Sequence, residues 1–400
     1  MKTMIINARV LMHAQRCVKE EAVLIEDGTI LDIASECELP HAEQVIDAEG
    51  LYLAPGLLDT HTHGIGGFDF NTCTAQAIEE IIALEHAEGV TGFLASLVVE
   101  NHAMTMERLQ LLDSQVTDSL LGIHLEGPFL NPKQKAVMKE EFLRLPNIEE
   151  FRQFLRVSSH VSSMTIAPEL PDAQRLIKEG TRQGIVMNIG HSMADAQQVM
   201  QAQRNGAKGI THLYNAMSQH EHRNPGVVTG ALLSDLMCEL IVDGFHVHPD
   251  VVHATYRALG DDRIILISDA NPYKAVADGE YPFSGKNIVI QDGKATVKET
   301  GRIAGSTLAM NTALRNMCRY TGCSVESAVR MAAYNPARLY GWKKGSIEPG
   351  YDADLMLMDD AFHIHRVWQR KYFMWRKAGK IVSSTTKTAY LSIYADCTFS

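Results

Sequence analysis

The sequence predicts an α/β protein, a (β/α)8 TIM-type barrel with a small β-sandwich-like domain built from both chain ends. Three observations point there. Between residues 54 and 344 short apolar runs alternate with amphipathic stretches, as strands and crossover helices do in a parallel sheet. Eight such runs can be found, the number that closes a barrel. Several of them stop at a histidine, glutamate or aspartate, which places those side chains at the C-terminal rim, where function gathers in this architecture.

The first 53 residues read as short strands at 4–11, 22–25, 29–33 and 51–54, with Asp27-Gly28 as a turn between two of them. After Pro55-Gly56 the barrel begins. Its strands are expected at 57–60, 92–98, 120–125, 164–167, 185–190, 209–213, 238–242 and 263–268. Segments 75–88, 172–183 and 194–205 space their apolar residues helically, Ile78, Ile81 and Ile82 falling on one face. Beyond the eighth strand, 287–291 and 294–298 flank Asp292-Gly293 as a hairpin excursion. Helices follow at 307–320 and 324–334, ending at Asn335-Pro336, and strands return within 345–358 and 363–382. The accessory domain is thus assigned to 1–53 and 345–385 and the barrel to 54–344, while the Ser/Thr-rich tail 386–400 carries no structural reading. No low-complexity linker separates the two modules, so rigid packing is expected.

A chain of 400 residues exceeds one ordinary core, and 46% hydrophobic against 21% charged residues suits a globular enzyme. A net charge of -11 argues against a broad nucleic-acid surface, which needs a basic face. The seven cysteines are scattered and never form a C-x-x-C pair, a usage that fits reduced thiols. No apolar run approaches the ~18 residues of a membrane span, and the N-terminus lacks the core of a signal peptide. A cytoplasmic protein with neither membrane nor nucleic-acid partners is expected.

The stretch His124-Leu125-Glu126-Gly127-Pro128 organises the site, because a strand that ends on Glu126 and breaks at once holds a carboxylate at the rim. His191 and His212 close two later strands, and with Glu126 they make a mixed oxygen and nitrogen set suited to zinc, or to iron or cobalt. Each taken singly also reads as a satisfied core or turn residue. His61-Thr62-His63 follows the first barrel strand and puts two imidazoles on one side of an extended backbone, where they could share a metal. Asp269 ends a strand too apolar to hold a charge unless it points out at the rim; it reads as a general base, or equally as a turn or helix cap before Ala270-Asn271-Pro272. His246, after the seventh strand, could polarise a carbonyl or grip a substrate. Arg223, in a loop with Asn224-Pro225-Gly226, offers a forked donor to a phosphate or carboxylate, or is an exposed loop cation.

Taken together, Pro55-Gly56-Leu57-Leu58-Asp59-Thr60-His61-Thr62-His63-Gly64, His124-Leu125-Glu126-Gly127-Pro128-Phe129-Leu130-Asn131-Pro132, Gly190-His191-Ser192 and Thr211-His212-Leu213-Tyr214-Asn215-Ala216-Met217 resemble the N-acetylglucosamine-6-phosphate deacetylases, a branch of the amidohydrolase superfamily. Asp243-Gly244-Phe245-His246, Ser268-Asp269-Ala270 and Ala304-Gly305-Ser306-Thr307 extend the likeness, which runs from about residue 50 to 360. The resemblance implies a cytoplasmic homodimer with one or two divalent metals per subunit. It implies metal ligands at Glu126, His191 and His212, with His61 and His63 as in the two-metal kind, and a catalytic base at Asp269. It further implies substrate contacts from the backbone of Asn215 and Ala216, from His246, from Ile303, Ala304 and Gly305, and from Arg223 reaching the phosphate in a neighbouring subunit's site. One departure stands out. Where the family usually reads Lys-Gly-Ala-His, this chain has Lys135-Ala136-Val137-Met138, so Met138 replaces a histidine that contacts the sugar.

The expected reaction is metal-dependent removal of the acetyl group from an N-acetyl amino sugar 6-phosphate, N-acetylglucosamine-6-phosphate first. The departure at Met138 leaves open the N-acetylgalactosamine epimer, or another N-acyl or cyclic amide. A sensor that binds the sugar phosphate without turning it over is a third reading, disfavoured by the intact ligands and base.

Overall fold

A computed structural model describes residues 2–12 and 16–369, and the backbone of 372–377 and 380–383. The tail 386–400 lies outside the described residues.

The eight expected barrel strands form as Leu57–Thr62, Val90–Leu97, Leu120–Glu126, Val161–Ile166, Val186–Ile189, Gly209–Ile210, Met237–Leu240 and Ile264–Leu266. Each pairs in parallel with the next in sequence. Closure of the ring comes just past the strand ends, where Asp269 N–H donates to His61 O at 2.8 Å, His63 N–H donates to Ala270 O at 2.8 Å, and Thr62 bridges Ala270. Every residue of Leu57–Thr62 and Val90–Leu97 is buried, which explains why these strands read as nearly unbroken apolar runs: the barrel covers one face and the helices the other.

Helices such as Ala77–Ala87, Ile148–Val157, Ala173–Arg182 and Ala196–Arg204 lie between the strands, and their buried faces join the strands in one large core. Their starts are locally encoded. Asn147 accepts from the backbone of Glu149 and Glu150, and Asp195 with Gln198 makes a reciprocal capping box.

Strands from both chain ends make one nine-stranded sheet beside the barrel. The long first strand, Lys2–Met12, splits its partners on one edge, pairing Gln44–Asp47 with its first half and Tyr52–Pro55 with its second. Tyr52–Pro55 then pairs Leu355–Met358, which joins the N-terminal strands to the C-terminal ones. Ile5, Val10, Val23, Ile30, Leu53, Leu355 and Trp368 fill this sheet's own core.

Several elements differ from the sequence reading. Gln44–Asp47 is a strand, although only Val45 and Ile46 in it are apolar. Of 345–358 only Leu355–Met358 is a strand; the preceding residues turn, docking Gly350 N–H on Ile30 O and Ala353 N–H on Gly28 O. The helix beginning at Val325 does not stop at Asn335-Pro336 but runs through a widened π turn, Arg330–Tyr334, into Asn335–Tyr340. The wider turn makes room for the proline ring, which lacks an N–H and sits at the start of the last segment. Asn335 is thereby placed to donate to Asp261 O at 2.6 Å and Ile264 O at 2.7 Å, bracing the eighth strand.

The hairpin after the eighth strand is present and gains a third strand: Gly279–Phe283, Lys286–Gln291 and Lys294–Val297. Among the described residues no helix is long and apolar enough to cross a membrane.

Candidate metal centre and active site

Six polar side chains converge where the barrel strands end. Glu126 is the last residue of its strand; Gly127, with φ +105°, turns the chain away at a point where a Cβ would meet Val99 Cγ2 at 2.7 Å. His191, His212 and Asp269 stand two or three residues past their strands with φ of 48°, 33° and 46°. Left-handed backbone at a non-glycine residue costs about 1–3 kcal/mol and persists only where neighbours enforce it. Here they do: His191 O accepts from Asn131 N–H, Leu213 N–H donates to Glu239 O, and Asp269 is held at both ends by His61 O and Ser306 N–H.

Two groups of three ligand atoms result: Glu126 with His191 and His212, and His61 with His63 and Asp269, all buried. In the first, Glu126 Oε1 lies 3.0 Å from His191 Nε2 and 3.1 Å from His212 Nε2, and the two nitrogens are 3.1 Å apart. An ion about 2.0–2.1 Å from tetrahedral ligands sets them roughly 3.3 Å apart, so this triangle is already the right size. In the second, Asp269 Oδ1 lies 3.6 Å from His61 Nε2 and 3.4 Å from His63 Nε2. Glu126 joins the groups, with one oxygen 3.5 Å from His61 and the other 3.5 Å from His63.

The ring orientations supply the test of whether these residues fit a metal. His191 Nδ1 donates to Gln134 O at 2.6 Å, His63 Nδ1 to Ser96 O at 3.1 Å, and His61 Nδ1 to a Glu239 oxygen at 3.2 Å. A carbonyl or carboxylate can only accept, so each of these rings carries its proton on Nδ1 and, when neutral, aims a bare Nε2 lone pair at the centre. His61 Nε2 is buried with no hydrogen-bond partner among the described residues. The donor set therefore fits a divalent ion.

Electrostatics point the same way. Burial opposes an imidazolium at His61, yet Asp269, Glu239 and Glu126 outweigh it and raise its pKa to about 10. Burial likewise opposes the Asp269 carboxylate, and His61, His63 and His212 overcome it, holding the group down at about 2. Glu126 is held well below the usual carboxylate range, chiefly by His191 against its own burial. A cluster that collects positive charge so strongly is one that exchanges protons for a cation.

The other sequence candidates are spread around this centre. His246 is half-buried with its imidazole only 7% exposed, its Nδ1 donating to Asp243 at 2.6 Å, and Asp243 raises its pKa against the effect of burial. Ala304 and Gly305 line up beside the eighth strand's end: Ser306 bridges Ala270, and Asn271 Nδ2 donates to Ala304 O at 3.1 Å; Ile303 precedes them, half-buried. Asn215 turns back on its own loop, donating to His212 O and Leu213 O, and Ala216 O accepts from Ser192 N–H. Arg223 is exposed and lines a cavity of about 710 Å³ with Gln134, Met193 and Glu221. Val137 packs against the hairpin module beside Ala304, whereas Met138 is buried among Val99, Leu130, Phe142 and Leu143. Met138 thus serves as an apolar anchor for its loop.

Sequence reading missed several contributors. Glu239, mid-strand in Met237–Leu240, grips His61 and reaches His212 N–H at 3.4 Å; a lone charge inside an apolar strand was the available signal. Glu169 accepts from Ser192 Oγ, Met193 N–H and Asn131 Nδ2, tying the His191 turn to the loop after Glu126. His124 is no ligand: Ser96 and Thr165 occupy its two nitrogens, and burial, together with the positive field of His61, holds it neutral.

Residues 52–387 match the model of the amidohydrolase family. The chain belongs to that family. This amidohydrolase is 32% identical over 372 residues to the N-acetylglucosamine-6-phosphate deacetylase of Lysinibacillus sphaericus, covering 91% of this chain and 96% of that one. It is 31% identical over 376 residues to the N-acetylgalactosamine-6-phosphate deacetylase of Escherichia coli O157:H7, covering 92% and 98%. Among solved structures, the N-acetylglucosamine-6-phosphate deacetylase of Pasteurella multocida superposes with a TM-score of 0.87 at 27% identity, covering 92% of this chain and 98% of that one. A mutant of the Mycobacterium smegmatis deacetylase in complex with N-acetyl-D-glucosamine-6-phosphate gives 0.87 at 29% identity, covering 93% and 98%.

Proposed function

We propose that this amidohydrolase cleaves the acetamide of an N-acetyl amino sugar 6-phosphate, yielding the amino sugar phosphate and acetate, with N-acetylglucosamine-6-phosphate as the first substrate to test. The observation that carries the reading is the meeting of Glu126, His191 and His212 over one point, with Asp269 facing His61 and His63 beside it. The relatives' activities support the substrate class.

A divalent ion held by Glu126, His191 and His212, with His61 and His63 available to a second, would supply Lewis acidity toward water and the acetyl carbonyl; zinc suits the donors, and iron or cobalt also fit. Asp269, held ionised, takes a proton from the attacking water and delivers it to the sugar nitrogen as the C–N bond breaks. His246, whose protonated form Asp243 favours against burial, donates from Nε2 in that form to the carbonyl oxygen as that atom gains charge. The wall formed by Ile303, Ala304 and Gly305 flanks the sugar, and the backbone of Asn215 and Ala216 faces it from the opposite loop. Arg223, exposed and without an ion pair among the described residues, is free to reach a phosphate across a homodimer interface. A cytoplasmic location belongs to the same reading.

The galactosamine epimer is the second reading. It is favoured by Met138, buried in an apolar cluster where the family's sugar-contacting histidine stands.

Acetate release should be followed across N-acetylated hexosamine 6-phosphates and their unphosphorylated sugars, with metal content measured on the same sample. Turnover of a 6-phosphate that disappears on chelation and returns with added zinc is expected. Activity that survives in metal-free protein overturns the mechanism. Arg223→Ala should raise KM for the phosphorylated sugar far more than for the plain one; equal effects dismiss the phosphate contact.

A further inference from the structure

Lys274 lies five residues beyond Asp269 and is one of the most completely buried large side chains in the protein. Its ammonium sits 3.0 Å from both oxygens of Glu85 and 3.0 Å from a Glu88 oxygen. Three donors meet three acceptors, so nothing is left over for substrate.

The arrangement is an expensive one. Glu85 and Glu88 occupy the last turn and C-cap of helix Ala77–Ala87, the end where the helix dipole disfavours negative charge. Burial pushes Glu85 up to about 8 and raises Glu88 as well, with Lys274 pulling both back. Buried ion pairs of this kind are weak evidence for stability, since apolar replacements of similar volume often fold as well or better. What this cluster gains is geometry.

The backbone on either side of Lys274 makes the gain concrete. Lys274 O accepts from Gly66 N–H and Pro272 O from Gly67 N–H, each at 2.8 Å, while Ala270 O accepts from His63 N–H and His61 O from Asp269 N–H. The segment carrying Asp269 and the segment carrying His61 and His63 are therefore laced together for their whole length. Lys274 fastens the outer end of that lacing to helix Ala77–Ala87. Glu88 extends the tie by accepting from Met310 N–H at 3.4 Å, at the start of helix Met310–Thr321.

We propose that Lys274, acting through Glu85 and Glu88, is a positioning residue that sets Asp269 against His61 and His63. The proposal rests on the deacetylase reading for the role of Asp269, but its geometry can be tested apart from it.

The variant to make is Lys274→Met combined with Glu85→Gln and Glu88→Gln, which removes the clamp and leaves no charge among its three members; the buried Asp59, which also feels Lys274, keeps its hydrogen bonds from Ser268. Folded protein with kcat lower by about 10²-fold and a nearly unchanged KM is expected, because a displacement of ~1 Å at the base acts on the reaction rather than on binding. Glu88→Gln alone, which keeps an acceptor oxygen but removes the charge from one contact of three, should fold in any case and show a several-fold loss of kcat with the same split. Wild-type kcat in either folded variant overturns the proposal. A crystal structure of the triple variant decides it without reference to substrate: Asp269 should move from its 3.6 Å and 3.4 Å separations from His61 and His63. Asp269 unmoved to within ~0.5 Å overturns it. Wild-type protein that releases no acetate from any hexosamine phosphate sinks the deacetylase reading alone, and the structural comparison still stands or falls by itself.

Discussion

Asp269 owes its state to its neighbours. Its backbone is bent into a left-handed conformation by hydrogen bonds from both sides, and three histidines hold its carboxylate ionised against burial. Asp269→Asn keeps the shape and one acceptor oxygen but cannot take a proton, so kcat should fall by about 10²- to 10⁴-fold. The check is steady-state turnover beside metal content, since the Glu126, His191 and His212 group should still load; near-normal turnover in folded, loaded protein removes Asp269 from the reaction. Glu239 poses a different case because it touches no reacting atom. By accepting from His61 Nδ1 it fixes which nitrogen faces the centre. Glu239→Gln should weaken metal retention or activity by about 10- to 100-fold, read by chelator competition, while the fold is kept. The candidates at strand ends were legible in the sequence because polar residues there interrupt apolar runs. Glu239 was not, since its partners come from strands far away in sequence, and a single charged residue inside an apolar strand does not announce what it binds.

Elements rather than residues explain what the sequence conveyed well and what it did not. All eight barrel strands were expected, since burial on both faces demands continuous apolar runs and their lengths separate them from helices. Gln44–Asp47 escaped because its pairing with Lys2–Met12, not its own pattern, makes it a strand. The passage through Asn335-Pro336 escaped because a widened turn can admit a proline that an ordinary helix would reject. Gly305 tests an element directly. At φ +60° it sits where a Cβ would lie 3.1 Å from Asn271 Cβ, 3.2 Å from Asn271 N and 3.2 Å from Asp269 O. Gly305→Ala should therefore lower unfolding free energy by about 1–3 kcal/mol and reduce kcat through the displaced Asp269 carbonyl. Denaturant unfolding together with kinetics checks both halves; an unchanged midpoint would mean that the segment yields freely and does not brace the base.

At the scale of the whole molecule, the accessory sheet is bolted to the barrel by polar contacts on a part of the molecule remote from the metal ligands. Arg16, near the start of strand Cys17–Glu26, reaches Asp261 at 3.0 Å and Asp262 at 2.6 Å, and Arg330 shares Asp262 at 2.8 Å. A second joint is fully buried: Gln369 donates to Thr91 O and Asp118 O and accepts from Ser119 Oγ, which lies 3.3 Å from His86 Nε2. Burial outweighs the contact with Gln369 and pulls the His86 pKa from 6.5 down to about 4. With the folded value below the unfolded one, the unfolded chain binds the proton first as pH falls. The contribution of His86 is then intact above about pH 6.5 and is lost as pH falls through 6.5 toward 4, up to about 3 kcal/mol in all. His124, also held neutral by burial, adds to the same acid loss. Denaturation at pH 7.5 and pH 4.5 should show a large fall in stability for the wild type and a smaller one for His86→Gln, even though the variant is weaker at pH 7.5. An equal fall in both proteins would mean that His86 takes up its proton without loosening the joint between sheet and barrel.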